Sequence, residues 1–154
     1  MPASPRSITD SLLVEGKNDY HVIRNLSARH GLEGRFEIEV SEDGSGVEEL
    51  LASIPLRLKT RGRRTLGIVI DADDDVSGRW RQLCDRLRDA GYRSAPAAPV
   101  AEGWISAESH LPRAGLWLLP DNRVPGMLED FVTLLVPADD KLLPRARQVV
   151  SELE

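Results

Sequence analysis

The chain has 154 residues, 41% apolar and 29% charged, which is the composition of a soluble globular protein with enough chain for one full hydrophobic core. A formal charge of −5 and a pI near 5.3 argue against a protein that coats nucleic acid by charge alone, yet leave room for an enzyme that touches a few phosphates through a metal. One cysteine, Cys84, excludes an internal disulfide and a cysteine-based zinc site. No apolar run approaches the ~20 residues that cross a bilayer and no signal-peptide core opens the chain, so a cytoplasmic protein is expected.

Met1 to Asp10 is polar and contains Pro and Ser, which reads as a frayed lead-in. Leu12-Leu13-Val14 is a short apolar run closed by Glu15-Gly16, the first expected strand, and Gly16 to Asp19 supply turn and N-cap chemistry. Tyr20, Val22, Ile23 and Leu26 mark a helix face that stops at His30-Gly31. Phe36 to Val40 alternates apolar and acidic, a strand with one wet face near a sheet edge. Ser45 and Glu48 form a capping box ahead of Val47, Leu50, Leu51 and Ile54, a second helix that Pro55 should end or kink.

Leu66 to Ile70 is unbroken and rich in β-branched residues, as in a strand buried on both faces. Four carboxylates follow within five positions: Asp71, Asp73, Asp74 and Asp75. In an extended segment Asp71 and Asp73 point to one side, and paired carboxylates repel unless a cation lies between them. The plainer reading, in which such acids only make the turn and cap the next helix, suits Asp74 and Asp75 well. Trp80, Leu83, Cys84 and Leu87 then fall at helical spacing, with Gly91 as the stop, so Cys84 reads as a core thiol. Ser94 to His110 is loop with a short strand around Trp104-Ile105. Leu116 to Leu119 is a further strand, ending at Pro120-Asp121-Asn122. Met127 to Val136 is a helix with Leu128, Phe131, Val132 and Leu135 inward, and Leu142 to Glu154 is a last helix whose pattern runs to the chain end, as in a truncated chain.

Strands alternating with helices specify one α/β domain over residues 1–154, a three-layer α/β/α fold with a mostly parallel central sheet. Its core spans about residues 12–137, with a helical extension over 138–154. Ligands of such sheets gather at the carboxyl ends of the strands, where three strands here end in acids: Glu15, the pair Asp71 and Asp73, and Asp121. Glu129 stands about two turns on and can reach back toward Asp121. Oxygen donors of this kind suit Mg²⁺ or Mn²⁺, and one acid outside the metal shell can serve as general acid or base.

The stretch Leu13-Val14-Glu15-Gly16-Lys17-Asn18-Asp19 followed by Ile68-Val69-Ile70-Asp71-Ala72-Asp73 resembles the Toprim domain of topoisomerases, primases, small RNA-maturing nucleases and the OLD (overcoming lysogenization defect) nucleases. Leu118 to Asn122 with Gly126 to Phe131 further resembles small stand-alone Toprim-like proteins. The resemblance implies a Rossmann-like sheet, Glu15 as general acid/base, Asp71 and Asp73 as Mg²⁺ ligands, and Glu129 with Asp121 as helpers of a second metal. It implies Mg²⁺-dependent phosphodiester chemistry on nucleic acid, although the chain lacks the nucleic-acid-gripping domains of larger members. The alternative is a non-catalytic binding or regulatory module that acts with a partner protein.

Lys17, Arg79 and Arg123 lie on the acid side as phosphate-binding candidates. The basic run Arg57, Lys59, Arg61, Arg63 and Arg64 precedes the central strand, so it belongs at the opposite edge as a solvated loop. His21, His30 and His110 have no ligand spacing, and Trp117 reads as core. No phosphate-binding G-x-x-x-x-G-K-[ST] loop, dinucleotide G-x-G-x-x-G or nucleophilic triad order is present.

Overall fold

The computed structural model describes residues 10–41 and 46–153. Strands β1 (Asp10–Val14), β2 (Glu37–Val40), β3 (Thr65–Asp71), β4 (Trp104–Ile105) and β5 (Arg113–Leu119) form one sheet in the order β2-β1-β3-β5-β4. Every pair is parallel except the edge pair β4 and β5. The helices are α1 (Lys17–Arg29), α2 (Val47–Leu58), α3 (Val76–Asp89), α4 (Leu128–Leu134) and α5 (Leu142–Ser151). The step from β1 to β2 runs one way along the sheet, while β2 to β3 and β3 to β5 run the other. Right-handed crossovers therefore put α1 on one face and α2 with α3 on the other, which makes the three-layer α/β/α fold.

The two faces are unequally covered. Leu13, Leu66, Ile68, Ile70, Ala114, Leu116 and Leu118 pack against Leu50, Leu51, Ile54 and Leu58 of α2 and Trp80, Leu83, Cys84 and Leu87 of α3. All are at most 4% exposed, and each buried Leu or Ile stabilises the fold by about 1.5–3 kcal/mol. On the α1 face Leu12, Gly67, Val69, Gly115 and Trp117 remain half-buried. The expected burial of β3 on both faces is thus corrected to a strict alternation, and Trp117 is not core. The reason lies in the thin cover: α4 is only seven residues long, and only Leu128 of its expected inward residues is buried, with Val132 39% and Leu135 50% exposed.

Other local expectations meet the structure in different ways. β2 is an edge strand, as its alternation requires, and the Trp104-Ile105 strand forms. Gly31 and Gly91 follow α1 and α3 at φ 67° and 104°, the left-handed region that suits glycine after a helix. Pro55 neither ends nor breaks α2, which runs on to Leu58. The Ser45 half of the expected capping box lies outside the described residues, and Gly46 is the N-cap. The lead-in expected over residues 1–10 also lies outside them, apart from Asp10, which starts β1.

The basic run stands at the amino edge of the sheet as expected, but it is not a solvated loop. Arg57 and Arg63 both pair with Glu39, at 2.5 and 2.8 Å, and Arg63 also bonds Ser11. Arg64 pairs with Asp10. These bonds tie the end of α2 and the start of β3 to β1 and β2. Among the described residues no helix is long and apolar enough to cross a membrane.

Candidate metal centre

Glu15 follows β1 directly, and Asp71 is the last residue of β3. The two strands are neighbours with Val14 opposite Val69, so their carboxyl ends adjoin. The Asp71 backbone N–H donates to Glu15 Oε2 at 3.4 Å, drawing that carboxylate over the end of β3. One turn into α1, Asp19 joins them. Its Oδ2 accepts the Gly16 N–H at 3.0 Å, while its Oδ1 is buried with no partner. Asp19 is 7% exposed and is the sole buried residue of α1. Asp71 Oδ1 is likewise buried and unpartnered.

Burying like charges together has an electrostatic consequence. Asp71 is pushed up to about 7, first by burial and then by the charges of Glu15, Asp19 and Asp73. Burial, with the charges of Asp73 and Asp19, also raises Glu15. Burial and the Glu129 charge raise Asp19 against two backbone N–H donors that pull it down. All three carboxylates resist ionisation without a counter-charge.

Asp73 is placed otherwise than expected. β3 ends at Asp71, and Asp73 sits in the left-handed region at φ 53°, so strand alternation does not carry it to the Asp71 side. Two backbone bonds with Gly126, at 2.9 and 2.8 Å, hold it there. The Ala72 N–H donates to the Leu119 carbonyl at 3.0 Å, so the loops after β3 and β5 are stitched together. A side chain at Gly126 would be strained, because its φ is 146° and a Cβ would lie 2.6 Å from Asp130 Oδ2, which would have to shift. Asp73 Oδ2 then lies 2.5 Å from Arg79 Nη2 of α3. Asp75 takes the plain role expected of it, capping α3 through the Gly78 N–H at 2.8 Å.

The later strand contributes less. Asp121 Oδ1 accepts the backbone N–H groups of Arg123 and Val124, both at 3.0 Å, and so builds its own turn. Glu129 is exposed in the first turn of α4, and its charge reaches Asp19. Of the cationic candidates, Arg79 pairs with Asp73 and its charge acts on Glu15, whereas Lys17 and Arg123 are exposed. Asn122, which the sequence did not single out, is buried at φ 62°, and its Oδ1 accepts the Leu118 N–H at 2.6 Å. Asp19 is the site residue that sequence reasoning missed. Its signal was the spacing Glu15-Gly16-x-x-Asp19 across a strand-to-helix turn, which the capping role absorbed.

The donors fit a hard cation in type. Among the described residues no three acidic, histidine or cysteine side chains form a ready-made metal cage. Mg²⁺ does not need one, because it keeps several waters and takes one or two protein carboxylates. Asp19 Oδ1 and Asp71 Oδ1, both buried without a partner, are oxygens of the type such a cation takes.

Fold and site define an α/β/α protein with a carboxylate cluster at the carboxyl edge of a parallel sheet. The chain belongs to the family described as "Protein of unknown function (DUF3226)", which matches residues 9–154. No curated protein and no solved structure matches the chain.

Proposed function

We propose that this protein carries out Mg²⁺- or Mn²⁺-dependent phosphodiester chemistry on nucleic acid at the Glu15, Asp19 and Asp71 cluster. The observation that carries the reading is the pair of buried carboxylate oxygens without partners, on Asp19 and Asp71, set among like charges. Such an arrangement is costly unless a cation or protons neutralise it. The resemblance of the Glu15-Gly16 and Asp71-Ala72-Asp73 motifs to the Toprim domain supports the same chemistry. A bound divalent cation would polarise the phosphodiester and offset charge developing on its oxygens.

Asp71 and Asp19 would hold the cation from the end of β3 and the start of α1. Glu15 is raised above the ordinary carboxylate range, and its Oε2 is anchored by the Asp71 N–H. It is therefore suited to take a proton from an attacking water or hydroxyl and to return one to the leaving oxygen. Arg79, paired with Asp73, brings a guanidinium charge to the cluster, and the exposed Lys17 and Arg123 would serve more distant phosphates. The net charge of −5 offers no broad electrostatic grip, so weak binding of free nucleic acid is expected.

The test is a cleavage screen of single-stranded and duplex DNA and RNA with Mg²⁺ and with Mn²⁺, wild type against Asp71→Asn and Glu15→Gln. Cation-dependent cleavage lost in both variants supports the reading. Cation binding without cleavage of any substrate would favour a module that acts only with a partner protein.

A further inference from the structure

Among the described helices only α5 buries no residue. It is well started, since Asp140 Oδ1 accepts the N–H groups of Leu142 and Leu143 at 3.0 and 2.7 Å. Its apolar residues are also patterned. Leu142, Ala146, Val149 and Leu153 stand four, three and four positions apart, the spacing of a coiled-coil seam. All four are exposed, Leu142 by 74%, Val149 by 53% and Leu153 by 82%. Beside the seam Val150 is 57% exposed, and Leu143 is half-buried. The Glu152 N–H on the Gln148 carbonyl at 3.1 Å carries the helical turn on toward Leu153. These side chains leave roughly 400 Å² of apolar surface in one stripe, a size that marks a protein–protein contact.

The residues flanking the seam decide between occupants. Arg145 and Glu152 each precede a seam residue and share one flank, and Leu143 and Val150 each follow one and share the other. Arg145 and Glu152 are both exposed, Glu152 Oε1 accepting Gln148 Nε2 at 3.0 Å. In a parallel pair of α5 helices each flank meets the opposite one, so Arg145 and Glu152 would face the apolar Leu143 and Val150 of the second copy. In an antiparallel pair each flank meets its own counterpart. Arg145 then faces Glu152 of the second copy, twice by symmetry, and Leu143 faces Val150. Along the seam Leu142 meets Leu153 and Ala146 meets Val149. We propose that a second copy of this chain covers α5 through an antiparallel helix pair. A stable dimer buries about 800 Å² per partner, so this smaller stripe makes a weak dimer that forms as concentration rises.

The test is sedimentation equilibrium of the full chain from ~10 μM to ~1 mM, the range in which so small an interface should associate. Circular dichroism checks that each variant is folded, which is expected because every substituted side chain is exposed. The wild-type mass should move from one chain toward two across that range. Val149→Asp should weaken the dimer by at least ~10-fold, since it buries a carboxylate in the seam. Arg145→Glu and Glu152→Arg should each weaken it by about 5-fold, because symmetry repeats every change, and the double variant Arg145→Glu/Glu152→Arg should return to within ~2-fold of wild type. A single chain at every concentration, which would leave the stripe to a different protein, would overturn the inference. So would a dimer indifferent to Val149→Asp, or a double variant as weak as either single one.

Discussion

The acids along β1 and β2 and those clustered at the carboxyl edge are treated in opposite ways. On the strands Glu39, in the third of four β2 positions, holds Arg57 and Arg63, and Asp10, the first residue of β1, holds Arg64. Asp10 is lowered chiefly by its bond to Arg64, and Glu39 by Ser11, Arg63 and Arg57 against the opposing effect of burial. At the carboxyl edge Glu15, Asp19 and Asp71 are raised, because burial and mutual repulsion outweigh the backbone N–H donors and, for Glu15, the Arg79 charge. Composition is blind to this difference. The paired acids tie strands and helix together, whereas Asp19 and Asp71 each keep a buried oxygen with no partner, which is costly while the carboxylates are charged.

The sharpest way to break the comparison is to neutralise one acid of each set. Asp71→Asn should lower cation-dependent cleavage by about 100-fold or more, measured as single-turnover rate, while raising the stability of the cation-free chain by about 1–3 kcal/mol at pH 8 in urea unfolding. Glu39→Ala should do the reverse, costing about 1–3 kcal/mol because it strands the mostly buried Arg63, with cation affinity unchanged. If both substitutions destabilised alike, the two sets of acids would not differ as described.

A smaller effect lies in pH. Asp71 stays protonated in the folded chain up to about 7, whereas unfolded it ionises near ~4. The folded chain therefore holds the extra proton, and stability should fall as pH rises from ~4 to about 7, then level off. Glu39 has the opposite sign: its contribution is present above its ordinary value near ~4.5 and fades as pH drops through its lowered one. The cation-free protein should thus be most stable on the acid side of neutrality, and chemical unfolding across pH should move that optimum upward in Asp71→Asn. The smallest effect belongs to Arg64→Ala, whose side chain is 75% exposed and whose loss should leave the melting temperature unchanged within error.

Much of this was legible in the residues. The β-α alternation specified the sheet, and Glu15 and Asp71 stood out because each closes an apolar run. What escaped notice depends on backbone detail or on distant partners. The left-handed turn at Asp73, which ends strand alternation, follows from bonds to Gly126 more than fifty residues on. Asp19 was hidden because one of its oxygens does cap α1, so that a local role masked the second oxygen. Arg63 looked solvated because its partners, Glu39 and Ser11, come from other strands. Pro55 was expected to stop a helix, yet the turn beyond it forms, with the Lys59 N–H on the Pro55 carbonyl.

The most direct measurement is the melting temperature of the full chain as Mn²⁺ is titrated at pH 7.5, wild type beside Asp71→Asn, with chelator added back at the end. A cation that binds the folded chain at ~100-fold over its Kd contributes about 2.7 kcal/mol, which for a chain of this size is a rise of about 5–10 °C. The account predicts that rise in the wild type, its reversal by chelator, and its absence in Asp71→Asn. An unmoved wild-type transition, or an equal rise in the variant, would contradict it.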